Sequence, residues 1–357
     1  MDPNQLIPKP DAIPAPPWLM ILLEQLLFLL HILIINALFG SALIVFYRWL
    51  KNQNNEEFIE MNTPIASKIP VMFALGINLG VAPLLFLQVT FGHLFYSSSV
   101  LMATYWILII PFLIIAYYGA YVHYKKMSNN PGLAKFSIFV LILMVLYIAF
   151  MLVNNNSLME QPEKWVKYFD NRDGTILLLS DVSIYPRFLK FVFASVAIGG
   201  LFSALLFYFK KDVSNKQEKI KQGLKIFGIA TALQMAIGFI YLLTLPEDIM
   251  LKLIGRDLLS SIVLLIGIIA AIGALIFAFQ GKLFATLYHL LLTMIAMVIT
   301  RYLLRMMYLN DNFSLSSLEI EPQWTIFALF VVILLIGLYS VWYMIRLGFA
   351  NNSGRAE

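Results

Sequence analysis

The amino-acid sequence predicts an all-α polytopic membrane protein of about nine transmembrane helices. Apolar residues make up 61% of the chain and charged residues only 13%, and the mean hydropathy is +0.82. The apolar residues form runs long enough to span a bilayer, because about 20 helical residues cross a hydrocarbon layer of about 30 Å. Only helices and closed barrels satisfy every backbone group in lipid, and runs this long exclude barrel strands. A soluble domain is excluded as well.

The nine spans follow one another in a single transmembrane domain, residues 18–349. A proline-rich tail, 1–17, precedes them on the outer side, and an inner tail, 350–357, follows them. Pro83 predicts a kink in the second span, and Pro111 lies inside the third. We expect the spans at about 18–47, 70–91, 100–121, 133–153, 188–209, 226–245, 258–279, 283–308 and 324–345.

The longest connection, 154–186, is polar and charged, with a short apolar patch at 176–179. This composition predicts an ordered cap that lies on the outer membrane surface. The other connections include a polar loop over 48–68, a lysine-rich loop over 210–225 and a short turn over 246–257.

The distribution of lysine and arginine predicts the orientation. With the N-terminus outside, 15 of the 25 basic residues lie on the inner side. Half of the remaining ten fall in 154–190, a segment long enough to weaken the positive-inside rule. We therefore expect the N-terminus outside and the C-terminus inside. In this arrangement the basic residues lie at helix ends, where topology explains them, so the net charge of +5 does not indicate nucleic-acid binding.

The chain contains no cysteine. Disulfides, thiolate-held iron–sulfur clusters and covalent haem attachment are therefore excluded, and a metal or haem would need His, Met or carboxylate ligands. Acidic residues are scarce in the spans, where Glu24 and Asp257 lie near helix ends. A proton-coupled transporter normally needs a chain of buried acids, so this class is disfavoured.

Histidines in the apolar spans are the candidate cofactor ligands, because an imidazole in hydrocarbon is costly unless it is paired or ligated. His31 is predicted about 15 Å below the outer face and His289 about 9 Å above the inner face. They would be separated by only about 6 Å along the membrane normal, so this pair comes closest to the matched depth that two axial haem ligands need. Met294 and Met297 are alternative axial ligands. Arg301 and its neighbour Arg305 are expected either to snorkel or to face a haem propionate or a quinone headgroup.

Other interpretations of these histidines stay open. His31 could be a hydrogen-bonded packing residue, and His289 could simply bind a backbone carbonyl. His93 and His123, at opposite ends of their spans, are predicted to be interfacial surface histidines. His93 is also a candidate for a contact near the outer face.

Three segments, 29–48, 73–92 and 97–113, resemble the first three helices of the large subunit of cytochrome bd quinol oxidases, and 188–212 resembles the fifth. That subunit has nine helices and an outside N-terminus. The resemblance places His31 where the family has a haem-ligand histidine in its first helix.

The sequence departs from this family at the oxygen-reducing centre. Phe193 stands where the fifth helix of the family carries a haem histidine, and Ser99 and Ile107 stand where the third helix carries two glutamates. The quinol-binding loop has shrunk to 246–257, and the family's G-R-Q-P-W motif is absent. The resemblance therefore implies a relative that has lost most of the oxygen-reducing centre. His93, His123 and His289 have no counterpart among the family's ligands.

We hypothesise a membrane subunit of a respiratory electron-transfer complex in the inner (cytoplasmic) membrane. It would carry b-type haem, a quinone site or both, and would bind other membrane or extrinsic subunits, among them c-type cytochromes. If it belongs to an enzyme, we expect a quinol or cytochrome oxidoreductase in which this subunit does not itself reduce oxygen. The alternative is a cofactor-free anchor for extrinsic redox proteins.

Overall fold

A computed structural model describes residues 3–51, 56–211 and 214–353 of the protein. In these residues the fold is all-α, with a single isolated β-bridge between Ile13 and Ile320 and no strand. The predicted class, a polytopic helical membrane protein, is confirmed. The helices are α1 (Pro17–Lys51), α2 (Glu56–Ala66), α3 (Ile69–Leu101), α4 (Ala103–Ile107), α5 (Ile109–Lys126), α6 (Pro131–Glu160), α7 (Ile184–Phe209), α8 (Lys216–Leu243), α9 (Glu247–Leu251), α10 (Leu258–Phe279), α11 (Leu283–Leu309) and α12 (Trp324–Ser353).

Eight helical segments of the described chain are long and apolar enough to cross a bilayer. They correspond to the first eight predicted spans, with α2 and α3 forming one continuous segment and α4 and α5 another. The ninth predicted span lies in α12, whose continuously described apolar part, Trp324–Gly337, is shorter. Large side chains of α12 are mostly exposed within this single chain.

The break in α3 lies at Phe91, whose φ of −121° and ψ of 24° are non-helical, and not at Pro83 as expected. Pro83 stays inside the helix, as prolines do in membrane spans where neighbouring groups satisfy the freed backbone. Pro111 lies in the first turn of α5, where the missing N–H of proline costs nothing. The third span is instead interrupted before it, at Leu108.

The long connection forms an ordered cap, but it begins later than expected. Helix α6 continues to Glu160, so the first seven residues assigned to the cap are helical. The indole of Trp165 donates to the Leu158 carbonyl at 2.8 Å, and the Ile176 amide donates to the Leu101 carbonyl at 3.0 Å. Leu178, in the predicted apolar patch, is buried and its amide donates to Asn154. These bonds fasten the cap to the helix ends beneath it.

We call the end of the bundle that carries this cap the loop-rich end. The N-terminal tail also lies there, and its Ile13 amide donates to the Glu319 carbonyl at 2.8 Å. The Glu321 amide donates back to the Ile13 carbonyl at 3.0 Å. The tail is therefore tied to the connection between α11 and α12. The predicted orientation places this end outside the membrane.

Helices α1, α7 and α8 cross in direct backbone contact at the glycine seam, which consists of Gly40, Gly199, Gly200 and Gly223. A Cβ atom added at Gly40 would lie 1.7 Å from the Ser195 carbonyl oxygen, and one at Gly223 would lie 2.6 Å from the Gly200 oxygen. Such closeness is possible only without side chains, as is typical of small-residue interfaces between membrane helices. The seam fixes α1 against α7.

Candidate functional site

Four charged side chains from four helices meet at the loop-rich end. Arg305 of α11 donates through Nη1 to Glu24 Oε1 of α1 at 2.8 Å. Arg187 of α7 binds Glu160 at the end of α6 through two bonds, of 2.7 and 3.1 Å. The Arg305 Nε atom lies 3.8 Å from Glu160 Oε1 and links the two pairs. We call Glu24, Glu160, Arg187 and Arg305 the charge cluster.

The sequence pattern did not predict this cluster. The sequence pattern places Glu160 in the predicted cap, because the fourth span was expected to end at about residue 153. In the structure α6 continues to Glu160. The proposal that Arg305 snorkels is wrong, because its side chain is fully buried between helices and ends on a carboxylate. Buried charges in a membrane protein are costly unless they are paired, and this cluster pairs both carboxylates with guanidinium groups.

Two further cations lie beside the cluster without a carboxylate of their own. Arg301 of α11 donates to Asn156 Oδ1 at 3.3 Å, and its guanidinium lies 4.2 Å from the centre of the Phe28 ring. The Lys190 ammonium of α7 lies 4.8 Å from the centre of the Tyr241 ring. No carboxylate oxygen of the described residues lies within 4 Å of either group.

Several buried polar atoms next to these charges lack a partner among the described residues. They are one carboxylate oxygen of Glu24, both amide atoms of Gln25, and the Nε and Nη2 atoms of Arg305, although Nε keeps its longer ion-pair contact with Glu160. Unsatisfied buried donors and acceptors are rare in native proteins and point to further hydrogen-bond partners at this place.

His31 lies deeper along α1, against α3. Its Nδ1 atom is 2.9 Å from the Gly76 carbonyl oxygen. A carbonyl only accepts hydrogen bonds, so Nδ1 carries the hydrogen and Nε2 keeps its lone pair in the neutral ring. A Cβ atom added at Gly80 would lie 2.6 Å from the imidazole, so glycine at this position lets the ring lie flat on α3.

The register of α1 against α11 shows which residues share the depth of His31. Glu24 meets Arg305, and Phe28 meets Arg301, in antiparallel order. Continued along the helices, this register gives Val298 and Met297 about the same depth as His31. It sets His289 about nine residues deeper, which corresponds to about 13 Å at 1.5 Å per residue.

The structure does not bring the other candidate ligands to His31. The Nδ1 atom of His289 binds the Ala285 carbonyl of its own helix at 2.9 Å, and its ring lies against Gly273 of α10. His93 lies near the loop-rich end, with its ring centre 5.0 Å from that of Phe313. Among the predicted cofactor residues of α11, Arg301 contacts α1 through Phe28, and Met297, one turn away, is 37% exposed.

His123 is the clearest correction among the histidines. Expected at the membrane surface, it is fully buried, and its Nδ1 binds the Ala134 carbonyl at 2.9 Å. The ring packs beside Trp49, with 6.1 Å between ring centres. It is a packing residue at the end of the bundle opposite the cap.

Within the described chain, no group of three or more His, Cys, Asp or Glu side chains is placed to hold a metal ion. A metal held by a porphyrin needs only one or two protein ligands, so this finding concerns ions bound by side chains alone.

The cap carries one carboxylate with a shifted pKa, Asp181. Burial opposes its ionisation, but hydrogen bonds from the Gln161 side chain and from Ser183 outweigh this and lower the pKa below its usual value. Gln161 Nε2 donates to Asp181 Oδ2 at 2.9 Å, and the Ser183 amide donates to Oδ1 at 2.9 Å. Ionised Asp181 thus connects the end of α6 to the start of α7 through these two hydrogen bonds.

Comparison of the chain with models of known protein families gives no match, and comparison with curated proteins gives none either.

Proposed function

We propose that the protein is a membrane subunit of a respiratory electron-transfer complex that holds a b-type haem through His31. The observation that carries the proposal is the hydrogen bond from His31 Nδ1 to the Gly76 carbonyl. Histidines that ligate metals almost always donate their other ring N–H to a carbonyl or carboxylate, which fixes the tautomer and the ring orientation. His31 has this arrangement within a membrane span.

The residues around His31 fit such a group. Met297 shares its depth on α11, and a Met/His ligand pair is a known haem ligation. His289 is the poorer second ligand because the helix register sets it about 13 Å deeper than His31. Arg301, one turn from Met297 toward the loop-rich end, would offset the acidic side groups of the macrocycle. The haem would supply one-electron transfer, while the protein orients His31 and keeps it dry.

Partners and a quinone site belong to the same proposal. The cap is fastened to the helix ends, so it offers a firm surface on which an extrinsic subunit or a c-type cytochrome can dock. The Gln25 amide, which has no partner among the described residues, and Arg301 would donate hydrogen bonds to a quinone carbonyl. Because Phe193, Ser99 and Ile107 replace the family's oxidase residues, the subunit would pass electrons without reducing oxygen itself.

The test is an optical spectrum of the full chain purified in detergent, before and after reduction with dithionite. We expect a reduced α band at a stoichiometric ratio to protein. Exchanging His31→Ala should abolish the band, Met297→Leu should shift or weaken it, and the matched change His289→Ala should leave it intact. Folding of each variant is checked by circular dichroism. A pure and folded protein without an α band would refute haem binding.

A second candidate, the cofactor-free anchor, is favoured by one observation. Nδ1 of His31, His123 and His289 each binds a backbone carbonyl, so these rings have a protein partner without any cofactor. If the anchor is correct, the purified chain shows no haem band, yet extrinsic redox subunits copurify with it and are lost when the cap is altered.

A further inference from the structure

A cavity lies at the end of the bundle opposite the cap, where α2 packs against α5 and α7. Its volume is about 360 Å³, which is within the range of small-molecule sites. Residues from α2, from the last turn of α5 and from just after α7 line it, among them Ile59, Glu60, Thr63, Tyr124 and Lys210. The cavity therefore brings an acidic residue, a basic residue, two hydroxyl-bearing residues and an apolar residue around a single space.

Glu60 and Lys210 line this cavity without forming an ion pair with each other. Glu60 binds Lys219 of α8, whose Nζ atom lies 2.5 Å from Oε1, and Ser214 Oγ donates to the same oxygen at 2.5 Å. The second carboxylate oxygen of Glu60 accepts no hydrogen bond from the described residues. Lys210 has no carboxylate oxygen of the described chain within 4 Å. Each residue can therefore still bind a ligand group of the opposite charge.

Thr63 adds a buried hydroxyl to the lining. Its Oγ1 atom is buried and has no hydrogen-bond partner in the part of the chain that the structure describes. A threonine within a helix commonly donates its hydroxyl to the carbonyl four residues earlier, as Thr90 and Thr286 do here. Thr63 does not, although it lies within α2. Because unsatisfied buried polar atoms are rare in native proteins, this hydroxyl points to a ligand in the cavity.

Tyrosines place the cavity at the level of lipid headgroups. Tyr124, which is 43% exposed, lines the cavity close to the end of α5, and Tyr121 and Tyr117 lie one and two turns deeper on the same face of that helix. Tyrosine is enriched where the membrane meets water, because its ring is apolar and its hydroxyl is polar. On the other side Ile59 is 47% exposed. A headgroup in the cavity could therefore continue into acyl chains along the tyrosine face of α5.

We propose that this cavity binds phosphatidylethanolamine, whose phosphate binds Lys210 and Thr63 and whose ammonium group donates to the free carboxylate oxygen of Glu60. A zwitterionic headgroup supplies one charge for each of the two charged residues. A purely anionic headgroup would leave Glu60 without a partner for that oxygen, and the choline group of phosphatidylcholine has no N–H to donate to it. Pockets between membrane helices are known headgroup sites. The proposal does not depend on the haem, because His31 contributes nothing to this cavity.

The experiment is native mass spectrometry of the full chain, delipidated in detergent and then titrated with phosphatidylethanolamine, phosphatidylcholine or phosphatidylglycerol. We expect one phosphatidylethanolamine to bind about tenfold more tightly than either other lipid, because only its headgroup makes a charge-assisted hydrogen bond to Glu60. Lys210→Gln should weaken this binding about tenfold, and Thr63→Val, which removes one hydroxyl, by a smaller factor. The matched control is Lys211→Gln, at the next residue, which is exposed and does not line the cavity. It should bind as the parent does.

Glu60→Gln tests the ammonium contact separately, because it should bind phosphatidylethanolamine and phosphatidylcholine alike while the parent distinguishes them. This variant also removes the partner of Lys219, so its folding is checked by circular dichroism. If it does not fold, the lipid preference of the parent and the Lys210→Gln titration decide.

Three results would overturn the proposal. Equal or tighter binding of phosphatidylglycerol by the parent would mean that an acidic lipid is the ligand. Unchanged binding in Lys210→Gln, or an equal loss in Lys211→Gln, would mean that the lipid does not bind in this cavity. Displacement of the lipid by millimolar phosphoethanolamine would mean that a free zwitterion, and not a phospholipid, is the ligand. In His31→Ala we expect phosphatidylethanolamine binding as in the parent, so the lipid and the haem are tested independently.

Discussion

The charge cluster and the glycine seam both hold α1 and α7, but against different partners and by opposite means. In the cluster, Glu24 and Arg187 reach their partners through long side chains that end in ion pairs. In the seam, Gly40 and Gly199 bring the two backbones into contact with no side chain between them. The first depends on charges that must be balanced, and the second depends on volume alone.

This difference shows where function can be located. At the seam the close approach of the backbones leaves no room for a ligand between Gly40 and Gly199, so the seam packs α1 rigidly against α7. The cluster contains polar atoms that have no partner among the described residues, and Arg301 and Lys190 lie beside it without a carboxylate within 4 Å there. His31 lies on α1 between the two regions, and the Gly76 carbonyl of α3 holds its imidazole.

The largest effect is expected from breaking the cluster at Arg305. The exchange Arg305→Met keeps an apolar side chain of similar length but leaves Glu24 buried without its partner. Removing one member of a buried ion pair typically costs about 3–5 kcal/mol. The measurement is the thermal midpoint and the denaturant midpoint of the purified protein in detergent.

The double variant Glu24→Gln/Arg305→Met is the control. It removes both charges, so its loss of stability should be clearly smaller than the sum of the two single losses. If the two losses simply add, the pair is not coupled and the cluster does not connect α1 to α11.

The next largest effect is expected at the seam. In Gly40→Ala the new methyl group would meet the Ser195 carbonyl and force α1 away from α7. Overpacking of this kind costs about 1–3 kcal/mol. Gly238→Ala in α8 is the matched control, because no described atom lies within 4 Å of the added carbon. The control should be neutral or slightly stabilising, since alanine favours helix. Equal losses in both variants would show that the backbone contact is unimportant.

Hydrophobic run length predicted the eight spans that the described residues confirm, because a bilayer imposes one minimum length on every helix. It did not locate helix ends. Helix α6 continues through three polar residues, Asn154, Asn155 and Asn156, because Asn154 and Asn155 are buried against the cap and Ser99. Those partners are distant in the chain, so a local pattern could not reveal them.

The candidate site was predictable only residue by residue. Depth along one helix predicts His31, Met297 and Arg301 as candidates from spacing alone, and these candidates stay predictions. Whether His31 and His289 lie at one depth depends on the register between α1 and α11, which the Glu24–Arg305 and Phe28–Arg301 contacts set. The sequence does not contain this register. For His123 the hydrogen-bond partner is a backbone carbonyl on the next helix, and sequence carries no signal for such an acceptor.

A smaller effect is expected at the start of α6, the helix whose last residue, Glu160, belongs to the charge cluster. Asn130 caps this helix by accepting a hydrogen bond from the Leu133 amide at 3.1 Å. Asn130→Ala should cost about 1 kcal/mol, the usual effect of losing an N-cap. Asn130→Asp retains the acceptor and should be close to the parent. A loss as large as that of Arg305→Met would mean that the cluster depends on the whole of α6, rather than on its last turn.

The smallest effect concerns Asp181, at the rim of the cluster. Its folded-state pKa lies below the usual value, so ionised Asp181 stabilises the fold above about pH 4, where the unfolded chain is also ionised. This contribution is lost as the pH falls through the lowered pKa. Because Asp181 is only partly buried, solvent screening limits it to about 0.2–1 kcal/mol.

Asp181→Asn cannot ionise and keeps one acceptor for the Ser183 amide. Thermal midpoints measured from pH 7 down to pH 3 should therefore show a small deficit of the variant at neutral pH that closes toward pH 3. Glu163→Gln, a change at another acidic residue in the cap, should leave the pH profile parallel to that of the parent. If the Asp181→Asn deficit stays constant with pH, Asp181 contributes through shape and not through charge. The contacts of Asp181 at the loop-rich end would then depend on volume, as those of the seam do, and not on charge.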